Sequence, residues 1–287
     1  MEKKKKRISP LRETAYRFCR NKVSLIGLFL VILLAIIIVF GEQIVPYEFG
    51  IKQNYSALLQ KPSAEHWFGT DGYGRDIFSR IIHGAKYTII LSVPAAFLAQ
   101  LIGVILGALA AFYSKWLDEV LMRILDVFQA IPSLLLALPI VAALGASLPN
   151  LVFAMMVARV AGATRSARAV MLSLVGQEHI EAARSYGSRD YQLILSHVIP
   201  NAIGPMIVDF TVTLSTIILE VSCLSFMGLG VQPPTPEWGV LLDEAREFMR
   251  VAPHTIMFPG LAILLAALAF NLVGDGLRDA LDPKLRD

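Results

Sequence analysis

Residues 181–201 read EAARSYGSRDYQLILSHVIPN, a charged stretch set between two strongly apolar regions. Glu181, Ala182, Ala183 and Arg184 are good helix formers. Gly187 suits the left-handed position just past a helix end. Ser188 can cap a following helix, with Asp190 in its first turn at the positive end of the dipole. That second helix is expected to run through residues 191–199 and to stop near Pro200 and Asn201. The pattern predicts helix, glycine turn, helix, pressed against one mouth of a larger bundle. Ala182 and Ala183 add little bulk, so another surface can come close. Tyr186, Tyr191 and Leu193 offer apolar contact, and Glu181, Arg184 and Arg189 offer charge. Such a mixture fits a docking knob for a soluble partner, although an ordinary solvated loop helix has the same composition.

The rest of the chain says what the knob is attached to. Of 287 residues, 55% are hydrophobic and only 17% charged, against about 25% charged in an average protein. The mean hydropathy is +0.60. A soluble domain of this size lacks the charge to cover its surface, so the class is all-α integral membrane protein. Six apolar segments lie at about 23–41, 88–112, 124–144, 148–164, 203–222 and 255–274, near the ~20 residues a span requires. The fourth is short and contains Arg159, and the fifth contains Asp209 and Glu220. With the N-terminus inside, the inner segments hold 19 Lys and Arg and the outer ones 7. This asymmetry favours both termini in the cytoplasm, with most of the weight on the nine positive residues of the N-terminal tail. The run EKKKKR reads as an orientation signal rather than a nucleic-acid or anionic-lipid site. The 18-residue run from Val23 to Phe40 is too long for a cleavable signal and reads as a retained anchor.

Two outer stretches look ordered. HWFGTDGYGRDIFSRIIHGAKYT (66–88) has turn-forming glycines, then an amphipathic run from Asp76 to about Lys86. On that run Ile77, Ile81 and Gly84 share one face and Arg80 and His83 lie off it. GLGVQPPTPEWGVLLDEAREFM (228–249) suggests a short helix from about Glu237. Trp67 and Trp238 suit a membrane interface. No phosphate-cradling loop, nucleophile elbow or HExxH motif occurs. Cys19 and Cys223 form no metal or redox pair, and the five histidines show no ligand spacing. No catalytic residue, metal site or cofactor is expected in this chain. What remains is transport or channel work. Arg159, Asp209 and Glu220 are the candidates for a translocation path or for interhelical pairing, because a charge facing lipid costs about 2.5–3.5 kcal/mol or more. An ion-coupled secondary carrier and a non-transporting scaffold are the rival classes.

The opening stretch resembles the EAA loop of ABC importer permeases: EAA, three residues, Gly, nine residues, then I-x-L-P. Glu181-Ala182-Ala183, Gly187 and Pro200 fall at matching positions, while His197 stands for the Ile and Ile199 for the Leu. The His-x-Ile-Pro ending, HWFGTDGYGRDIFSRIIHGA, LSFMGLGVQPPTPEWG and GDGLRDALDPKLR look like the peptide/nickel-type branch, from about Arg17 to Asp287. The long segment between spans one and two looks like the second of its two permeases. The resemblance implies a six-span type I importer domain with cytoplasmic coupling helices. It divides the chain into a basic tail (1–22), a first transmembrane helix (23–41), an outer segment (42–87) and a core permease domain (88–287) with its loop at about 165–200. Glu181, Ala182, Ala183, Arg184, Tyr186 and Gly187 become ATPase-coupling positions. The implied partners are a second homologous permease, one or two cytoplasmic ABC ATPases carrying ATP and magnesium, an extracytoplasmic binding protein and the lipid of a bacterial inner membrane. Peptides are the expected cargo, with nickel or metal chelates as the alternative.

Overall fold

The computed structural model of the chain describes residues 10–113 and 115–281, so the basic run at residues 3–7 lies outside the described part. Apart from one isolated bridge between Thr70 and Asp76, the regular structure of the described residues is helical. Helix α1 covers Pro10–Arg20 and α2 covers Lys22–Ile44. Asn21 caps α2 by accepting from the Val23 N–H at 3.0 Å. A short α3, Glu48–Ile51, opens the segment leading to α4, Ile77–Phe112. The amphipathic run and the second apolar segment are thus one continuous helix, started by Asp76, whose carboxylate accepts from the Ser79 N–H at 2.7 Å.

The third apolar segment is broken. Helices α5, Lys115–Gln129, and α6, Ser133–Leu144, meet at an angle of 81° across residues 130–132. Pro132 accounts for the break: it has no N–H to donate and disfavours helical geometry in the residue before it. Helix α7 follows at Leu148–Val175, longer than the 148–164 expected from hydropathy. Then come α8, Glu178–Ser185, α9, Asp190–Leu193, and α10, Ile199–Phe226. The stop expected at Pro200 does not occur. A π-helical stretch at Ile194–Val198 carries the chain from α9 into α10 without a break. In the wider π turn the Ile199 N–H donates to the Ile194 carbonyl, which shifts the hydrogen-bond ladder just before Pro200 and accommodates the bond that Pro200 cannot make. Helix α11, Trp238–Ala245, and α12, His254–Leu281, complete the chain.

Four stretches among the described residues are long and apolar enough to cross a membrane: α2, α4, α9–α10 and α12; the bent pair α5–α6 makes a fifth. Helix α7 differs because of its arginines, and each of them is matched. Arg159 pairs with Glu220 of α10, Arg165 with Asp126 and Arg168 with Asp118, both of α5. Its place along α4 is fixed by small residues. A β-carbon on Gly103 would meet Ala163 at 2.7 Å, and one on Gly107 would meet Ala167 at 2.8 Å. Small residues four apart on both helices allow such close approach in a membrane bundle. The two helices therefore run parallel, with residues 103 and 163 at one level and 107 and 167 at another.

The two ends of the bundle are built differently. At one end the Asn21 amide donates to the Asp279 carboxylate at 3.3 Å, so the start of α2 meets the end of α12. At the other end a buried ionic knot ties residues 71–80 to α11. Arg75 and Arg80, 2% and 1% exposed, share the carboxylates of Asp71 and Glu244 at 2.6–2.8 Å. The helical spacing put Arg80 off the packed face, yet it is buried, because α11 supplies an acid from 164 residues away. Trp238 is buried too, its indole N–H donating to the Ile81 carbonyl at 2.9 Å, while Trp67 remains exposed. Glu237 caps α11. Its carboxylate accepts from the N–H groups of Gly239 and Val240 and from the Thr88 hydroxyl. Its complete burial nevertheless pushes its pKa up.

Candidate functional site

The loop between α7 and α10 is held from beneath and presented from above. Ile180 of α8 is 1% exposed and packs in a cluster with Ala167, Met171, Ile194 and Val198. One helical turn of that anchor leaves Glu181, Ala182, Arg184 and Tyr186 exposed, Tyr186 to 91%, with Ala183 half-buried. Glu178 and Glu181 lie in the first turn and Arg184 in the last, the arrangement the helix dipole favours. Gly187 has φ +86°, and its N–H donates to the Arg184 carbonyl at 3.0 Å. The Ser188 N–H reaches the Ala183 carbonyl at 3.3 Å. These two bonds form a Schellman ending, which consumes Ser188. The next helix therefore starts one residue later than expected: Arg189 is the cap, and its N–H donates to the Gln192 side chain at 3.0 Å. Arg184 crosses the turn to within 3.9 Å of Asp190 and lies 5.2 Å over the Phe112 ring, at the end of α4. The loop is thus a rigid, exposed knuckle at the end of the bundle where α4 finishes.

The three charged residues singled out within the apolar segments separate into a pair and a single. Arg159 Nε donates to Glu220 at 2.9 Å, its Nη2 bonds the other carboxylate oxygen, and the Ser133 hydroxyl joins at 2.6 Å. This bidentate unit ties α7, α10 and the start of α6 together, and it places a carboxylate at the unpaired N–H groups of α6. Asp209 stands apart. It lines a cleft of about 990 Å³ with Ser166, Val170, Gly204 and Leu281, at the end of the bundle that carries the loop. Its Oδ2 is buried without a hydrogen-bond partner among the described residues.

Sequence reasoning missed the Asp126–Arg165 and Asp118–Arg168 pairs and the knot around Arg80. The only local signal was the spacing of Asp71 and Arg75, four residues apart; the other acids lie tens of residues away in the chain. Among the described residues no group of three or more His, Cys, Asp or Glu is placed to hold a metal ion.

Comparison with known proteins gives this bundle, with its interhelical charge pairs and its exposed helix–turn–helix knuckle, a family. Residues 103–287 match the family described as binding-protein-dependent transport system inner membrane component, and residues 9–62 match the N-terminal transmembrane domain of oligopeptide transport permease C. The chain is 42% identical over 279 residues to the dipeptide transport system permease protein DppC of Alkalihalophilus pseudofirmus, covering 97% of this chain and 91% of that protein. It is 45% identical over 278 residues to the glutathione transport system permease protein GsiD of Shigella dysenteriae, covering 97% and 92%. Among solved structures, an inward-facing form of the MetNI methionine ABC transporter matches with a TM-score of 0.61 at 17% identity, covering 71% of this chain and 97% of the matched chain. The fold is that of a type I ABC importer membrane domain. The chain belongs to the binding-protein-dependent transport system inner membrane component family, and it is a multi-pass permease subunit.

Proposed function

We propose that this permease moves peptides, glutathione-like ones included, into the cell, and that it is driven through the knuckle at residues 178–190. The observation that carries the reading is the exposed α8 with its Gly187 turn, anchored by Ile180 and otherwise free on its outer face. Glu181, Ala182, Ala183, Arg184, Tyr186 and Gly187 form the surface that enters a groove of a cytoplasmic ABC ATPase. ATP and magnesium act on that partner, since this chain has no phosphate-cradling loop. One or two ATPases, a second homologous permease and an extracytoplasmic binding protein complete the assembly in the bacterial inner membrane. Both termini lie on the cytoplasmic side. Closure of the ATPases moves the knuckle, and α7 and α10, which flank it directly, carry the motion to the path. Arg159 and Glu220 brace that path where α6, α7 and α10 meet, and Asp209 faces its cytoplasmic cleft.

The peptide assignment rests on the two relatives named above, whose cargoes are a dipeptide and glutathione. The test is uptake in proteoliposomes that hold the complete assembly, with the binding protein loaded outside. Labelled dipeptide or glutathione is expected to accumulate only with ATP inside. Uptake that survives ATP depletion while a membrane potential is kept would exclude an ATP-driven importer. Retention of uptake by Glu181→Lys, with wild-type ATPase binding, would exclude the knuckle as the coupling surface.

A further inference from the structure

One exposed face of the bundle is built from groups that lipid does not tolerate. The levels set by Gly103–Ala163 and Gly107–Ala167 place Arg165 beside Ile105 of α4. On α4 that level is lipid-like: Leu101 and Ile105 are 45% and 52% exposed, within an apolar run that continues to Phe112. At the same depth α5 and α7 expose an ion pair. The Arg165 side chain is 49% exposed and that of its partner Asp126 45%. By the same count Arg159 lies beside Ala99, near the middle of the apolar run of α4, and Ser133 reaches the Arg159–Glu220 unit. The break at residues 130–132 therefore lies between these two levels, alongside the middle of the apolar run of α4, with Gln129, Ala130, Ile131 and Pro132 all exposed.

Each observation carries the same demand. A half-exposed charge pair facing hydrocarbon is costly. Non-helical backbone at membrane depth persists only when it is buried in protein or lines a water-filled cavity. The stripe of α7 that flanks the pair is small, with Gly162 and Ala169 exposed on either side of Arg165. It leaves room beside the pair instead of filling it.

We propose that the Asp126–Arg165 pair and the adjacent break at residues 130–132 line the aqueous translocation path. There the pair offers one fixed cation and one fixed anion to the charged ends of a zwitterionic cargo. The assignment rests on the permease reading. Water, rather than a tightly packed partner helix, is the occupant because the pair is already matched within this chain; full burial would remove its hydration without adding a partner.

The experiment uses the complete transporter in membrane vesicles, with Cys19 and Cys223, both free thiols, replaced by serine. Gln129→Cys or Ala130→Cys is added, and an impermeant thiol reagent is applied from the side of the knuckle. Labelling is read on this chain's own band, so that cysteines of partner chains do not count. Ile105→Cys at the same level and Phe97→Cys are the lipid-facing controls. Gln129→Cys and Ala130→Cys are expected to react about tenfold faster than the controls or more, since only water at that depth admits a charged reagent. Trapping the ATPases with ATP and vanadate is expected to change that rate. Reactivity equal to the controls in both states, with ATP-driven uptake intact, overturns the path assignment and leaves the face packed against the second permease or lipid. Absence of uptake by the wild-type assembly would instead sink the permease reading, and the labelling would still report whether water reaches this face.

Discussion

Gly187 shows how much one residue decides. Its φ of +86° lies where L side chains are strained, yet a β-carbon added there would meet nothing within 4 Å. The requirement is therefore conformational rather than steric. Gly187→Ala is expected to cost about 1 kcal/mol locally and to leave uptake measurable, because the Schellman bonds can still form. Gly187→Pro removes the N–H that bonds the Arg184 carbonyl and fixes φ near −65°, so it should reorient α8 and abolish the coupling of ATP hydrolysis to uptake. The check is ATPase rate and uptake measured on the same vesicles, with assembly confirmed by co-purification. If Pro and Ala behave alike, the turn does not control coupling. This residue was legible in the sequence because few residues other than glycine fit a left-handed helix ending. Ser188 was not, since its role depends on a backbone bond to Ala183 that composition does not reveal.

At the scale of elements, helix interiors were readable and their junctions less so. Leu, Ile and Val runs identified α2, α4, α10 and α12. Helix α7 was cut short by hydropathy at its arginines, whose partners lie 39, 50 and 61 residues away. Pro132 broke a helix that read as continuous, and Pro200 failed to break one because the π stretch absorbed it. The α11 cap is another long-range junction, reaching from Glu237 to Thr88. It carries a pH prediction. Burial is the largest influence on Glu237 and raises its pKa above the ordinary 4.5, outweighing the N–H and hydroxyl groups that favour the ion. A raised folded-state pKa means that the folded protein holds the proton more tightly than the unfolded chain. The associated stability is present below pH 4.5 and is lost as pH rises through the folded-state value. The thermal unfolding midpoint of the purified permease assembly should thus fall with rising pH in this window. Glu237→Gln, neutral at every pH, should flatten that trend. The quantity to read is the difference between the two proteins, since other groups titrate as well. A difference in Tm that does not grow with pH would place the ionised form, not the neutral one, at this cap.

For the whole molecule, the contact between its ends carries the topology. The start of α2 and the end of α12 meet through Asn21 and Asp279, and Gly276 lies against Ser24 and Phe18. The knuckle belongs to the same end, because Arg184 covers Phe112 where α4 finishes. The segment containing residues 52–76 and helix α11 forms the opposite end, tied by the Arg75–Arg80 knot. If α7 crosses with the other five, residues near 20, near 186 and near 279 share one face of the membrane, and residues near 55 face the other. On the proposed orientation, which follows the positive residues, the shared face is the cytoplasmic one. Single cysteines at the exposed positions Tyr186 and Tyr55, in a chain without Cys19 and Cys223, separate the alternatives. An impermeant reagent should label Tyr55→Cys in right-side-out vesicles and Tyr186→Cys only in inverted ones, where native Cys19, restored alone, should react as well. Labelling of Tyr186→Cys and Cys19 from opposite sides would mean that one helix does not cross. Because the fourth segment is the one that hydropathy alone does not support, that result would identify α7. Its arginine pairs would then have to be reread as contacts of a helix lying at the surface, and the aqueous path would need a different wall.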